Sequence, residues 1–102
     1  MNETRVGNIV VYNRAIFEPL TGCCVARYFP TNEAALEAAH EMNEVADWHG
    51  IIKTLAKGEK PNCQDELKRI SEAHGGKLSD NATASGARPL IEAAAARLDK
   101  SA

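Results

Sequence analysis

Residues 31–49 read TNEAALEAAHEMNEVADWH. Glu33, Glu37, Glu41, Glu44 and Asp47 lie within this stretch, which has no Lys or Arg. At about 100° per residue those carboxylates share a single arc of about 120°. Ala35, Ala38, Ala39, Met42, Val45, Ala46 and His49 occupy the opposite arc. The spacing predicts one amphipathic helix over about 32–49, with an acidic ridge outside and a small-residue face inside. The rest of the chain must supply what that face packs on.

Working upstream, residues 5–13 (RVGNIVVYN) are rich in β-branched and aromatic types and read as a strand. Asn13-Arg14 reads as a bend or bulge before Ala15, Ile16 and Phe17 continue it. Pro19 and Gly22 give residues 18–22 the chemistry of a reverse turn. Residues 23–29 (CCVARYF) then return, with Cys23, Val25, Arg27 and Phe29 on one face and Cys24, Ala26 and Tyr28 on the other. The expected sheet is a hairpin, or three strands, within residues 5–29. An isolated hairpin is marginal in water, so the helix must cover it. Pro30 closes the strand, Thr31 or Asn32 caps the helix, and Glu33 complements its dipole. Glu37 and Glu41, like charges four apart, cost about a few tenths of a kcal/mol.

Downstream, Gly50 ends or bends the helix, and residues 51–57 add two turns with Ile51, Ile52 and Leu55 for the core. Gly58 and Pro61 stop it. Asn62 reads as the N-cap of a helix over about 63–74, with Asp65 near its N3 position. Cys63, Leu67, Ile70 and Ala73 or His74 make that helix's apolar stripe, and Gly75-Gly76 ends it. Residues 79–88 (SDNATASGAR) have the composition of a flexible connector. Pro89 then opens a C-terminal helix over 89–100, whose narrow apolar side is Leu90, Ile91, Ala94, Ala95 and Leu98. The expectation is a single α+β domain over 1–102: a short antiparallel sheet, the long helix, and two or three shorter helices.

Composition narrows the function classes. The net charge is −2, but it is unevenly spread: +1 over residues 1–30, −5 over 31–49, +2 over 50–77 and zero beyond. A partner meets the local field rather than the total. The bases are scattered among acids, which argues against direct nucleic-acid binding. Cys23, Cys24 and Cys63 make no disulfide framework and read as free thiols of a reducing compartment. No basic region followed by an apolar run marks a signal peptide, and no run approaches the ~18 apolar residues of a membrane span. The expected location is cytoplasmic.

Charge-rich helices usually interleave Lys with Glu for i,i+4 pairing, yet residues 28–51 contain neither Lys nor Arg. Trp48 falls on the ridge side if the helix runs through it, between Glu37 and Glu41 in angle. There it would be a half-exposed interface anchor of the kind enriched at binding hot spots. The alternative has the helix end early and the ring fold under Ile51 and Ile52. His40, His49 and His74 with Cys23, Cys24 and Cys63 show no local metal-binding pair. Cys63 at a helix N-terminus would have a lowered thiol pKa, but no nucleophile–base signature surrounds it, and it reads better as a core residue. Gly75-Gly76-Lys77 lacks the strand–Gly–helix context of a phosphate loop.

The passage FPTNEAALEAA, at residues 29–39, resembles the strand-to-helix joint of small phage and mobile-element proteins. The acidic surface is similar in kind to small phage-encoded inhibitors, including anti-CRISPR proteins, some of which occupy a nucleic-acid-binding surface by presenting carboxylates. The resemblance spans about residues 23–49 and is one of class, so no residue role is carried over from it. It implies a non-enzymatic protein-binding inhibitor that sets an acidic helix face on a basic surface of a larger protein or ribonucleoprotein. Glu33, Glu37, Glu41, Glu44 and Asp47 would steer and set register, Trp48 would anchor, and no cofactor is required. A structural or regulatory homodimer through the Ala-rich helices is the competing expectation. A small enzyme using Cys63 or a histidine is the third.

Overall fold

The computed structural model of the chain describes residues 3–79 and 88–101. Among them the fold is α+β, with four helices and five antiparallel strands that neighbour one another in chain order. The sheet runs through β1 (Thr4–Val6), β2 (Ile9–Tyr12), β3 (Ala15–Glu18) and β4 (Cys23–Arg27). The helices α1 (Asn32–Val45), α2 (Trp48–Ala56) and α3 (Gln64–Ala73) follow. The chain then returns as β5 (Lys77–Leu78) before α4 (Arg88–Ser101).

Two tight reversals divide what sequence patterning joined. The strand expected over 5–13 breaks at Gly7, whose φ of +58° suits glycine. A Cβ there would lie 3.0 Å from the Asn43 amide. Asn13 and Arg14 form a two-residue hairpin turn, with φ of +51° and +59°, the doubly positive pair that matches strand twist. A hairpin turn thus replaces the expected bend or bulge. The next turn is held by Glu18, whose carboxylate accepts the Leu20 and Thr21 N–H groups at 3.0 and 2.6 Å.

The fifth strand has no local signal. Gly75, at φ +87°, ends α3, and Gly76 passes against Phe29 so closely that a Cβ would meet the ring at 2.5 Å. Lys77 and Leu78 then pair with Arg27 and Ala26 at the sheet edge. Tyr28, at φ +68°, interrupts strand alternation, so Phe29 turns into the core while Tyr28 stands 67% exposed.

Thr31 caps α1, its hydroxyl accepting the Ala34 N–H at 3.0 Å. Ala35, Ala38, Ala39 and Met42 are fully buried, in one cluster with Ile9, Val11, Ile16 and Ala26 of the sheet. Small side chains let the helix axis sit close to the strands, where small contacts add up. The expected helix over 32–49 is shorter in the structure. It stops at Val45, and Ala46 is extended with φ −111° and ψ 133°. The break lets the chain turn and bury Trp48, a side chain worth about 150–250 Å² of burial. Val45 and His49, expected on the inner arc, are exposed.

The first residue of α3 is Gln64, so Cys63 rather than Asn62 is its N-cap, with no side-chain cap bond. Its buried stripe is Leu67, Ile70 and Ser71, while Ala73 is exposed. Helix α4 packs on α2, where Ile91, Ala94 and Ala95 enclose Ile52 in a second cluster. Leu90 lies off that face and is exposed. Arg97 also donates to the Leu20 carbonyl at 2.9 Å. Of the expected connector over 79–88, residues 80–87 lie outside the described residues. No helix among the described residues is long and apolar enough to cross a membrane.

Candidate functional site

The outer face of α1 carries Glu33, Glu37, Glu41 and Glu44, all exposed. Burial of the alanine face against the sheet dictates this, because a helix with one face committed must present the opposite arc to solvent. Asp47 is exposed too, but the break at Ala46 moves it off the helix into the α1–α2 joint, at the N-cap position of α2. The contiguous ridge is thus four carboxylates with a fifth displaced beyond its end.

Trp48 does not belong to this surface. It is 3% exposed and sits in the main core cluster with Met42 and Ile51. Its indole N–H donates to Asn43 Oδ1 at 2.8 Å, and Asn43 Nδ2 donates to the Val6 carbonyl at 2.7 Å. The expected half-exposed anchor is therefore corrected: the helix ends before Trp48, and the indole satisfies its one polar group inside the fold. Asn43, a lone amide between Met42 and Glu44, is the residue that sequence reasoning missed. Its only signal was a polar side chain next to the inward face.

The ridge is also less bare than its sequence. His74, at the end of α3, hydrogen-bonds Glu41 through Nε2, and its Nδ1 lies 3.7 Å from Glu37 Oε2. His74 is largely shielded, whereas the Glu37 side chain remains 71% exposed. Arg69 on α3 pairs with Glu66 at 2.7 Å. That bond first, the Glu66 charge next, and a smaller contribution from Glu41 hold its guanidinium above the usual range. Glu33 and Glu44 make no ion pair among the described residues.

Cys63 is partly buried against the main core cluster, in line with its core reading, and only the lowered thiol pKa is corrected. Cys63 stands at the start of α3, yet burial pushes its thiol up. A backbone hydrogen bond pulls the other way, and the charge of Asp47 adds to the rise. Desolvation of the thiolate outweighs the helix end. No group of three or more His, Cys, Asp or Glu among the described residues is placed to hold a metal ion. A cavity of about 80 Å³ lies between the sheet and α2, α3 and α4, bounded largely by Val25, Trp48, Ile52, Leu55, Leu67 and Ile91. Glu18 and Thr21 at its rim already bond to turn backbone.

No family model, curated relative or solved structure matches the chain. The functional reading therefore rests on its own surfaces.

Proposed function

We propose that this chain is a non-enzymatic binding protein that sets the α1 acidic face on a basic surface of a larger protein or ribonucleoprotein, as small phage-encoded inhibitors do. The observation that supports this reading is the exposed, Lys- and Arg-free row Glu33, Glu37, Glu41 and Glu44 on a helix anchored by its opposite face. A rigid row of carboxylates competes with phosphates for Lys and Arg. It raises encounter rates by about 10–10³ and makes them salt-sensitive. With Trp48 in the core, the ridge contributes rate and register more than apolar affinity.

Ala35, Ala38 and Ala39 face the sheet, and Ala94 and Ala95 face α2, which leaves a homodimer the exposed Leu90, Ala93 and Ala96 of α4. The test is capture of partners from a lysate of the source cells at low and high salt, identified by mass spectrometry. A parallel capture uses Glu37→Lys, Glu41→Lys and Glu44→Lys combined. The expected result is a nucleic-acid-handling complex that is lost at high salt and in the reversed variant, while circular dichroism of that variant keeps the native signature. Capture unaffected by the reversal would overturn the reading. A tight dimer by light scattering, with no other protein recovered, would replace it with the homodimer.

A further inference from the structure

The sheet has a second face. Strand register pairs Val10 with Phe17 and Phe17 with Cys24; none of these three belongs to the core clusters, although Val10 is itself buried. One step along, Tyr12 pairs with Ala15, and Arg27 pairs with Lys77. The register Ile16↔Ala26 continues to set Ala15 beside Arg27. Directly paired residues share a face, so Tyr12, Ala15, Arg27 and Lys77 cross four strands on the side opposite the core ladder of Val11, Ile16, Ala26 and Leu78. Neighbouring strands are about 4.8 Å apart.

Beside this row lies an open groove of about 640 Å³, bounded by Arg14, Phe17, Cys24, Arg27, Tyr28 and Pro30 among others, with no acid in its lining. Tyr28 is 67% and Tyr12 41% exposed, and the Arg27 guanidinium sits 5.0 Å from the Tyr28 ring centre. Arg14, Arg27 and Lys77 make no ion pair among the described residues. Arg5, at the other end of the sheet, is excluded because its Nε already donates to the Gly7 carbonyl.

From these placements we infer that the outer sheet face binds single-stranded nucleic acid, against the expectation from the scatter of bases along the sequence, because strand pairing gathers Arg27 and Lys77 on one face. Arg14, Arg27 and Lys77 would take the phosphates, and Tyr28 and Tyr12 would stack bases. Exposed aromatics interleaved with unpaired cations on an open sheet have the chemistry that unpaired bases require. A duplex keeps its base faces covered, and an acidic protein surface would use the arginines but leave the tyrosine rings without partners. The inference stands apart from the acidic-ridge reading, since α1 lies on the other side of the sheet.

The experiment is fluorescence anisotropy with labelled oligo(dT) and oligo(U) of about 12 nucleotides and a duplex of the same length, across a salt series. Binding of the single strands is expected, tighter than that of the duplex, with a log–log salt slope of about −2 for three phosphate contacts. The double variant Arg27→Gln and Lys77→Gln should flatten that slope. Tyr12→Ala and Tyr28→Asn (an asparagine tolerates the positive φ) should each weaken binding at least about fivefold, with thermal melting near that of the parent. Glu37→Gln, on the opposite side, should leave affinity within about twofold. Any of three results overturns the proposal: no binding at low salt, equal affinity for duplex and single strand without dependence on the tyrosines, or self-association through this face in place of nucleic-acid binding.

Discussion

Asn43 joins three parts of the chain with one amide. It donates to the Val6 carbonyl and accepts from the Trp48 indole, so the β1 end, α1 and the start of α2 meet at a single side chain. Asn43→Ala would leave a carbonyl and an indole N–H without partners, at a cost of about 1–3 kcal/mol. Urea unfolding should show that loss as a lower midpoint with an unchanged slope; an unshifted midpoint would mean that water replaces the amide. The Cys63 thiol offers a second measurement at this scale. Its value is raised in the folded state, first by burial, so the fold favours the neutral thiol. That contribution is complete below the unfolded thiol's ordinary value of about 8.5 and is lost as pH rises through the folded one. Iodoacetamide should therefore alkylate Cys63 more slowly in the native protein than in urea at pH about 8, read by peptide mass spectrometry. Equal rates would contradict the direction.

At the scale of elements, α1 shows how far periodicity reaches. Its start and most of its faces were legible: Thr31 or Asn32 as N-cap, Ala35, Ala38, Ala39 and Met42 inward, and the glutamates outward. Each follows from spacing and from the chemistry of a single turn. Thr31→Ala should cost about 1 kcal/mol and lower the melting temperature by about 4–8 °C, which differential scanning calorimetry resolves. The end of α1 was not legible. Nothing in the helical spacing of residues 46–49 forbids continuation; the break at Ala46 is stabilised by core contacts of Trp48 with residues distant in sequence. The β5 strand was missed for the same reason, since two residues of no marked β-propensity become a strand only by pairing with β4.

At the scale of the whole molecule, two clusters divide the interior. The larger holds the sheet, α1, α3 and part of α2; the smaller is Ile52 with Ile91, Ala94 and Ala95. Elements in different clusters can open separately. Ile91→Glu should release α4 from α2 and raise amide exchange along α4, while α1, β2 and β3 keep their protection. Loss of protection everywhere at once would show that the clusters unfold as one unit. On the helix side Glu33, Glu37, Glu41 and Glu44 line α1, while Arg14, Arg27 and Lys77 lie toward the outer side of the sheet. A chain of net charge −2 thereby presents two surfaces of opposite sign.

The sequence by itself determined the acidic arc of residues 33–44, the alanine face beneath it, the α+β class and the glycine stops at Gly58 and Gly75. All of these are consequences of residue type and short-range spacing. Tertiary structure alone decided that Trp48 is buried, that His74 reaches Glu41 and Glu37, and that Arg27 and Lys77, fifty residues apart, lie side by side. Those outcomes depend on which strands and helices become neighbours. That choice is made by burial of the whole core and leaves little mark on any local window.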